Sequence, residues 1–278
     1  MENDIINIIN NHLLDGFEKD FFAEAIKNLE NNSRLRLSNF LYAIRELIRE
    51  VLARMSPDEK VLGSQWFIPY DKENPKKITR KQRMMYAIHG GIDPDYVEES
   101  LLIDAHDIIK DLIQKIDKLS KYTHITEEIF YENMTKSLNE IVQDELSIFS
   151  EFLAEIQNCK ESVVQKLNDK LYDHVTSEFL SSTVIDIDHL STHHFIEDIS
   201  INDIIIKEIN VDTISIEVEG SIYVQQQYGS SIDLENDNGA IIYSDFPYVC
   251  YICLEAFQPD EFKVLDSYYN VDTKEWEE

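Results

Sequence analysis

The spacing of apolar residues changes once along this chain, and the change divides it into two regions of different secondary structure. From Tyr131 to Leu180 the apolar residues recur every three or four positions without a proline or glycine, which predicts one or two long helices. A continuous helix there would span about 70 Å at about 1.5 Å per residue. Beyond Ser181 apolar and polar residues alternate, as they do from Ile214 to Val224, which predicts strands with one buried face.

Helix start and stop signals fill the region before the long stripe. Ser56-Pro57-Asp58-Glu59 and Thr79-Arg80-Lys81-Gln82 both match the capping box, in which the first side chain and the fourth bond reciprocally to the backbone at a helix start. Gly90-Gly91 ends the helix that Thr79 begins, because glycine adopts positive φ at little cost. Asp93-Pro94 predicts the start of a further helix, which continues toward His124.

These patterns predict an α+β fold of two domains. An N-terminal all-α helical bundle with long helices occupies residues 1–180, and an acidic antiparallel β domain, as a small sheet or a sandwich, occupies residues 181–278. The long helices either pack against the front helices of the same chain or form a stalk or the seam of a homodimer. Gly220 predicts a bend in the strand that contains it.

Basic residues are concentrated in one part of a very acidic chain. The formal net charge is -29, yet all seven arginines lie between residues 34 and 83, where twelve basic residues face six acidic ones. Residues 181–278 contain three lysines and 21 acidic residues, so the β domain would repel nucleic acid. The arginine-rich stretch either binds a phosphate-bearing partner or neutralises neighbouring acidic helices.

Composition also limits the compartment and the cofactors. Three cysteines are too few and too odd in number for a secreted disulfide scaffold, and no apolar run approaches the roughly 18 residues of a membrane span. We therefore expect a soluble cytoplasmic protein with no membrane association. Glycine-rich phosphate loops and zinc-protease motifs are absent, so no cofactor is expected. The acidic and histidine residues from Asp186 to His194 match no metal-ligand template, and Cys250 and Cys253 would lie on opposite faces of a strand, so we expect no metal.

The segment from Lys118 to His124 resembles the signature of the HEPN ribonucleases, in which an arginine and a histidine lie four to six residues apart near a helix end. The resemblance implies that His124 acts as general acid or base on a ribose 2′-hydroxyl while a cation stabilises the phosphorane. Here Lys118 replaces the arginine and Leu119 replaces the usual polar residue, so Arg45 or Arg49 from a neighbouring helix could supply the cation. The alternative is a histidine that caps helix carbonyls.

Two further sets of residues, taken together, resemble one known protein family. One comprises Trp66 to Pro69, Ile78 to Arg83, Tyr86 to Gly91 and the segment that ends at His124; the other comprises Gln227 to Ser230, Asn238 to Ala240 and Phe246 to Tyr248. With them the chain resembles the predicted prokaryotic-PIWI-associating nucleases, which are proteins of bacterial defence loci. The resemblance covers residues 35–257 and implies a nuclease that works with a partner protein from the same locus.

The leading hypothesis is a cytoplasmic, defence-associated nuclease that acts on RNA or DNA. Its predicted catalytic residues are His124, Lys118, Arg45 and Arg49, and its predicted nucleic-acid contacts are Arg80, Lys81, Arg83, Lys76 and Lys77. The alternative is a non-enzymatic adaptor that dimerises through its long helices and docks a partner protein. A third hypothesis is that the acidic β domain mimics nucleic acid and regulates a basic partner.

Overall fold

Helices fill the first part of the protein and a single sheet fills the last part, so the predicted α+β fold is confirmed. The structure, a computed structural model, describes residues 2–123, 125–131, 137–181 and 183–274; for residues 2, 3, 105, 108, 115, 118–123 and 129 it describes the backbone only. The chain divides into two compact units, Met1–Lys160 and Glu161–Glu278. The division falls inside a long helix, whereas the predicted domain boundary near residue 180 lies where helix gives way to strand.

The first unit is built from helices α1 to α8 and the beginning of α9. Their bounds are Glu2–His12, Phe17–Glu30, Arg36–Met55, Asp58–Gly63, Arg80–His89, Pro94–Glu99, Ala105–Thr123, Glu127–Phe130 and, for α9, Leu138–Ser181. Helix α3 is central, because it packs against α2, α5 and α7. Its apolar residues recur at helical spacing, and Phe40, Leu41, Ile44, Leu47 and Val51 are fully buried.

The two predicted capping boxes have different outcomes. At the start of α5 the Thr79 hydroxyl accepts the backbone N–H of Gln82 at 3.2 Å, and the Gln82 side chain accepts the backbone N–H of Thr79 at 2.9 Å, as predicted. The box at Ser56 is wrong, because the Ser56 hydroxyl instead donates back to the carbonyl of Leu52 at 2.5 Å. That hydroxyl completes the end of α3 and does not cap α4.

The helix predicted to begin at Asp93 is interrupted. Helix α6 ends at Glu99, Leu102 adopts a φ of +58°, and α7 begins at Ala105. The Asp104 carboxylate accepts the backbone N–H of Asp107 at 3.0 Å, which restarts the helix in the manner of an N-cap. The apolar spacing carried through this break, so periodicity alone did not locate it.

Helix α9 crosses the division between the units with most of its apolar stripe buried. In the first unit Ile141, Phe149 and Leu153 are buried, and in the second Leu167, Leu171 and Val175 are. Within the second unit Phe179 packs its ring against Tyr248 and Tyr269, with centroids 4.7 and 4.4 Å apart. The part of α9 in the second unit therefore covers one face of the sheet.

The second unit contains a four-stranded antiparallel meander with strand order β1-β2-β3-β4. Its elements are α10 at Ile185–Asp188, β1 at His193–Ile209, β2 at Thr213–Tyr228, α11 at Ser231–Glu235, β3 at Ala240–Glu255 and β4 at Val264–Val271. Within residues 183–274 all the strands belong to one sheet. Of the two predicted alternatives, the described chain therefore contains the small sheet and not the sandwich. Alternate residues of β2 and β3 are buried on the face that Phe179 of α9 contacts, and the residues between them, on the other face, are more exposed.

Gly220 lies where β2 passes closest to its neighbours. A Cβ at this position would lie 2.0 Å from the carbonyl oxygen of Ser200 and 2.6 Å from the hydroxyl of Tyr248. Strand β2 pairs with β3 through Gly220 without a register shift. Close packing requires glycine there, and the pairing of β1 with β2 has a register shift directly beside it, between Ile201 and Asp203. The bend expected at Gly220 stays a prediction.

Candidate nucleic-acid interface

Four of the seven arginines line one cleft in the helical unit. Arg45 and Arg49 lie one turn apart on α3, and Arg80 and Arg83 lie one turn apart on α5. The cleft has a volume of about 480 Å³. Because α3 packs directly against α5, arginines that are more than thirty positions apart in the sequence share its rim. Two predicted catalytic arginines and two predicted nucleic-acid contacts are thus brought together, in a region named here the arginine cleft.

The floor of the arginine cleft is apolar. Ile48 and Leu52 of α3, Met84 of α5 and Ile116 of α7 line it and are buried, and Ala53 presents an exposed methyl group. Helix α7 therefore forms a third wall. Guanidinium groups around an apolar floor can bind a ligand that combines a negative charge with a flat apolar part.

Each of these arginines contacts a carboxylate. The Arg49 guanidinium lies 2.9 Å from Glu46 and 2.6 Å from Glu50, and Arg45 lies 3.3 Å from Glu46. Two of the ion pairs join different helices: Arg80 lies 2.6 Å from Asp117, and Arg83 lies 2.6 Å from Asp58.

These ion pairs are open to solvent at the outer part of the rim. The side chains of Arg49 and Arg80 are 67% and 49% exposed. Exposed pairs of this kind contribute only about 0–1 kcal/mol, so a phosphate that offers bidentate acceptors can compete for the same guanidinium groups. Arg83 is more firmly held, since it also donates to the carbonyl of Ser56 at 3.0 Å.

The other predicted contacts lie elsewhere or outside the described residues. Lys81 is 2.9 Å from Nδ1 of His106 and joins α5 to α7 on a different side, and Lys76 and Lys77 are exposed in the loop before α5. The backbone of Lys118 lies in α7, but its side chain lies outside the described residues, as does the whole of His124. The catalytic assignment of Lys118 and His124 thus stays a prediction.

His89 is separated from the arginine cleft. Its ring is 1% exposed and packs edge-on against Trp66, with centroids 5.4 Å apart, while the indole N–H of Trp66 donates to the carbonyl of Gly90 at 2.9 Å. Burial lowers the pKa of His89 from 6.5 to about 4, an effect that nearby backbone groups only partly offset. His89 is therefore neutral at physiological pH and shares no site with Arg83.

A second arginine cleft was not found from the sequence. Arg34 lies over the rings of Phe130 and Tyr131, at 5.3 and 5.5 Å from their centroids, and together with Asn32 and Arg36 these residues line a cleft of about 320 Å³. The arginines and the aromatic pair are nearly a hundred residues apart, so no local pattern links them. The adjacent aromatic residues at 130 and 131 were the one available signal.

The histidine and acidic residues around β1 do not form a metal centre. His194 lies 3.5 Å from Asp188 on the helix-covered side of the sheet, whereas His193 points to the opposite face. Within the described parts of the chain, no group of three or more His, Cys, Asp or Glu side chains is arranged to hold a metal ion. Cys250 is buried and Cys253 faces the other side of β3, as the odd spacing predicted.

No helix in the described part of the chain has the length and hydropathy needed to cross a bilayer.

Comparison with known proteins confirms the resemblance to the predicted prokaryotic-PIWI-associating nucleases, whereas the resemblance to the HEPN ribonucleases stays a prediction. Residues 10–149 match one family model and residues 156–277 match another, and both bear the description predicted pPIWI-associating nuclease. The short interval between the matches lies within α9, close to the division between the compact units. No curated protein and no solved structure is significantly similar to the chain. The two family matches together span nearly the whole chain, which therefore belongs to the family of predicted pPIWI-associating nucleases.

Proposed function

We propose that the protein is a cytoplasmic nuclease of a bacterial antiviral defence system that binds RNA or DNA at the arginine cleft and cleaves phosphodiester bonds. The convergence of Arg45, Arg49, Arg80 and Arg83 around one cleft carries the proposal, and membership of a predicted nuclease family supports it. The four guanidinium groups are matched by the four carboxylates that contact them, Glu46, Glu50, Asp58 and Asp117, so the cleft is close to neutral within a strongly acidic chain. The acidic remainder is screened beyond a Debye length of about 8 Å.

His124 is the proposed general acid/base. It follows directly after α7, the helix whose Ile116 lines the cleft and whose Asp117 contacts Arg80. On RNA the imidazole takes the proton of a ribose 2′-hydroxyl as that oxygen attacks phosphorus. The imidazolium then gives this proton to the 5′-oxygen as the bond between that oxygen and phosphorus breaks, which leaves a 2′,3′-cyclic phosphate and a 5′-hydroxyl. On DNA an activated water takes the place of the 2′-hydroxyl. Lys118 and the cleft arginines would stabilise the charge that builds on the phosphoryl oxygens.

The test is a cleavage and binding assay with purified protein on labelled RNA, single-stranded DNA and duplex DNA, with and without added Mg²⁺ or Mn²⁺. Charge reversal at the rim, Arg49→Glu or Arg80→Glu, should weaken binding and reduce the slope of its salt dependence by about one unit for each phosphate that the variant no longer binds. His124→Ala should bind normally and fail to cleave. Lys27→Glu is the matched control, because Lys27 is an exposed, ion-paired cation outside the cleft.

Two outcomes would overturn the proposal. One is a protein that cuts none of these substrates, either alone or when produced together with the proteins encoded beside it. The other is a Lys27→Glu variant that loses binding as strongly as Arg80→Glu, which would show that bulk charge and not the cleft is responsible.

A second candidate function, a non-enzymatic adaptor, is favoured by the open face of the sheet. Tyr223, Tyr243 and Tyr268 are exposed there, and Asp203 of β1 lies directly opposite Glu219 of β2. Like charges at directly opposed positions destabilise a sheet, and a cationic partner would relieve their repulsion. Exposed aromatic rings on the same face as carboxylates suit a partner surface rich in lysine and arginine.

The adaptor proposal is tested with the double variant Asp203→Lys, Glu219→Lys. If the adaptor function is correct, this variant should lose a salt-sensitive complex with a basic protein encoded by a neighbouring gene, as measured by size-exclusion chromatography, while Glu261→Lys outside the sheet should keep it. Full biological activity of His124→Ala would favour the adaptor over the nuclease. Loss of activity in His124→Ala, with the double variant fully active, would rule the adaptor out.

A further inference from the structure

The arginine cleft presents two kinds of surface to one ligand. Its lining contains four guanidinium groups, and the carboxylates of Glu46, Glu50, Asp58 and Asp117 contact them through ion pairs that a phosphate would have to displace. Below them Ile48, Leu52, Met84 and Ile116 form an apolar floor, and the exposed Ala53 methyl lies beside it. A free inorganic phosphate would use the rim and leave the floor empty, so the floor indicates a ligand with an apolar part attached to its phosphate.

Size limits what that ligand can be. A volume of about 480 Å³ lies toward the lower end of the range of roughly 300–1,000 Å³ for sites that enclose one small organic molecule. A nucleic-acid duplex keeps its bases stacked inside and offers only backbone phosphates at its edge, so it could contact the rim but not the floor. An unpaired nucleotide can turn its base away from the strand and place it on an apolar surface.

We infer that the arginine cleft holds one unpaired nucleotide of a single strand, with the base against the apolar floor and the flanking phosphates at the arginine rim. The inference rests on the proposed function and narrows it, because it makes single-stranded nucleic acid, or an unpaired loop or end, the substrate. The solvent-exposed arginines, Arg49 and Arg80, contact the phosphates, and Ala53 sets the space available to the base.

The experiment fills the space above the apolar floor with a larger side chain and leaves the charge of the arginine rim unchanged. Ala53→Trp places a large apolar ring in the cleft, and Ala53→Phe is a smaller replacement that serves if the tryptophan variant does not fold. Ala23→Trp, at an exposed alanine of α2, is the matched control. Binding is measured by fluorescence anisotropy with a labelled single strand, the same strand annealed to its complement, and the same strand with abasic sites in place of its central bases.

The expected result is that the wild-type protein binds the single strand about tenfold more tightly than the duplex or the abasic strand. Ala53→Trp or Ala53→Phe should reduce single-strand binding by about tenfold and leave duplex binding unchanged, while Ala23→Trp changes neither. The inference is overturned if the wild-type protein binds the three probes equally and the Ala53 variants bind as it does. If Arg80→Glu still abolishes binding in that case, the proposed function survives as contact with the backbone alone. Failure of the wild-type protein to bind any of the probes would overturn both.

Discussion

Arg80 of α5 and Asp117 of α7 form an interhelical ion pair, with Nη1 and Oδ1 2.6 Å apart, beside the arginine cleft. The two side chains are 49% and 61% exposed, so the pair contributes little to folding. Under the proposed function its main consequence is for binding, because Asp117 would compete with a phosphate for the same guanidinium group. In the absence of a ligand the carboxylate keeps the side chain of Arg80 at the rim.

Asp117→Asn should therefore strengthen nucleic-acid binding. Removing the carboxylate frees Arg80 and adds one positive charge to the local field, so we expect a gain in affinity of about two- to fivefold at low salt, measured by fluorescence anisotropy. The melting temperature should change little. The control is Asp111→Asn, which removes the same charge from an exposed position on the same helix. An equal gain in affinity in that variant would mean that the gain comes from net charge and not from the contact between Asp117 and Arg80.

Glu18 and Arg54 join α2 to the end of α3 in a less exposed pair. Two guanidinium nitrogens contact the carboxylate, at 2.6 and 3.1 Å, and the same carboxylate accepts the backbone N–H of Leu14 at 2.9 Å. Because the side chain of Glu18 is only 8% exposed, Glu18→Gln would leave Arg54 partly buried without its counter-charge. We expect the free energy of unfolding to fall by about 2 kcal/mol, measured by urea denaturation.

The exposed pair between Lys19 and Asp15 provides the comparison for that result. Their side chains are close, at 2.6 Å, but Asp15 is 93% exposed. Asp15→Asn should leave the free energy of unfolding nearly unchanged, because solvent screens the pair. Equal losses in the two variants would contradict the importance of burial at Glu18.

Local chemistry in this chain could be predicted from the sequence where all the partners lie within a few residues. The capping box of Thr79 and Gln82, the end of α5 before Gly90 and the alternation that gives β2 all depend on neighbours in the sequence. Ser56 fits the same box, in which its hydroxyl would accept a backbone N–H, but it donates instead to the carbonyl of Leu52 one turn back. A short pattern does not show which of two nearby partners a hydroxyl will choose.

The arginine cleft could be predicted only in part. Composition placed all seven arginines in one stretch, but it could not show that α3 packs against α5 or that Arg80 meets Asp117 across 37 residues. The same limit explains the second cleft, where Arg34 meets Phe130. Such contacts depend on how amphipathic helices choose their neighbours, and apolar periodicity shows which face of a helix is buried but not what that face contacts.

Gly220 should be among the least replaceable positions of the sheet. In Gly220→Ala the new methyl group would overlap the Ser200 carbonyl and the Tyr248 side chain, whose hydroxyl donates to that carbonyl at 3.1 Å. Because the first clash is with backbone, β1 and β2 would have to separate, and we expect a loss of about 2–3 kcal/mol in the free energy of unfolding. Ser221→Ala, at the next residue on the other face, is the control in the same urea titration. A normal midpoint for Gly220→Ala would contradict the close packing.

His89 should make the stability of the helical unit depend on pH. Its pKa is about 4 in the folded protein, because burial disfavours the charged ring, and about 6.5 when the chain unfolds. Between these two pKa values the unfolded state therefore binds more protons than the folded state. The contribution of neutral His89 to the free energy of unfolding is fully present above pH 6.5 and is lost as the pH falls toward 4. The loss at pH 4 should reach about 3 kcal/mol relative to neutral pH.

Urea denaturation of the wild-type protein and His89→Phe across this range isolates the effect, because protonation of the many carboxylates is common to both proteins. As the pH falls, the wild-type protein should lose more stability than His89→Phe, so the difference between their free energies of unfolding should shift in favour of the variant. A difference that does not depend on pH would show that the ring is not buried in its neutral form.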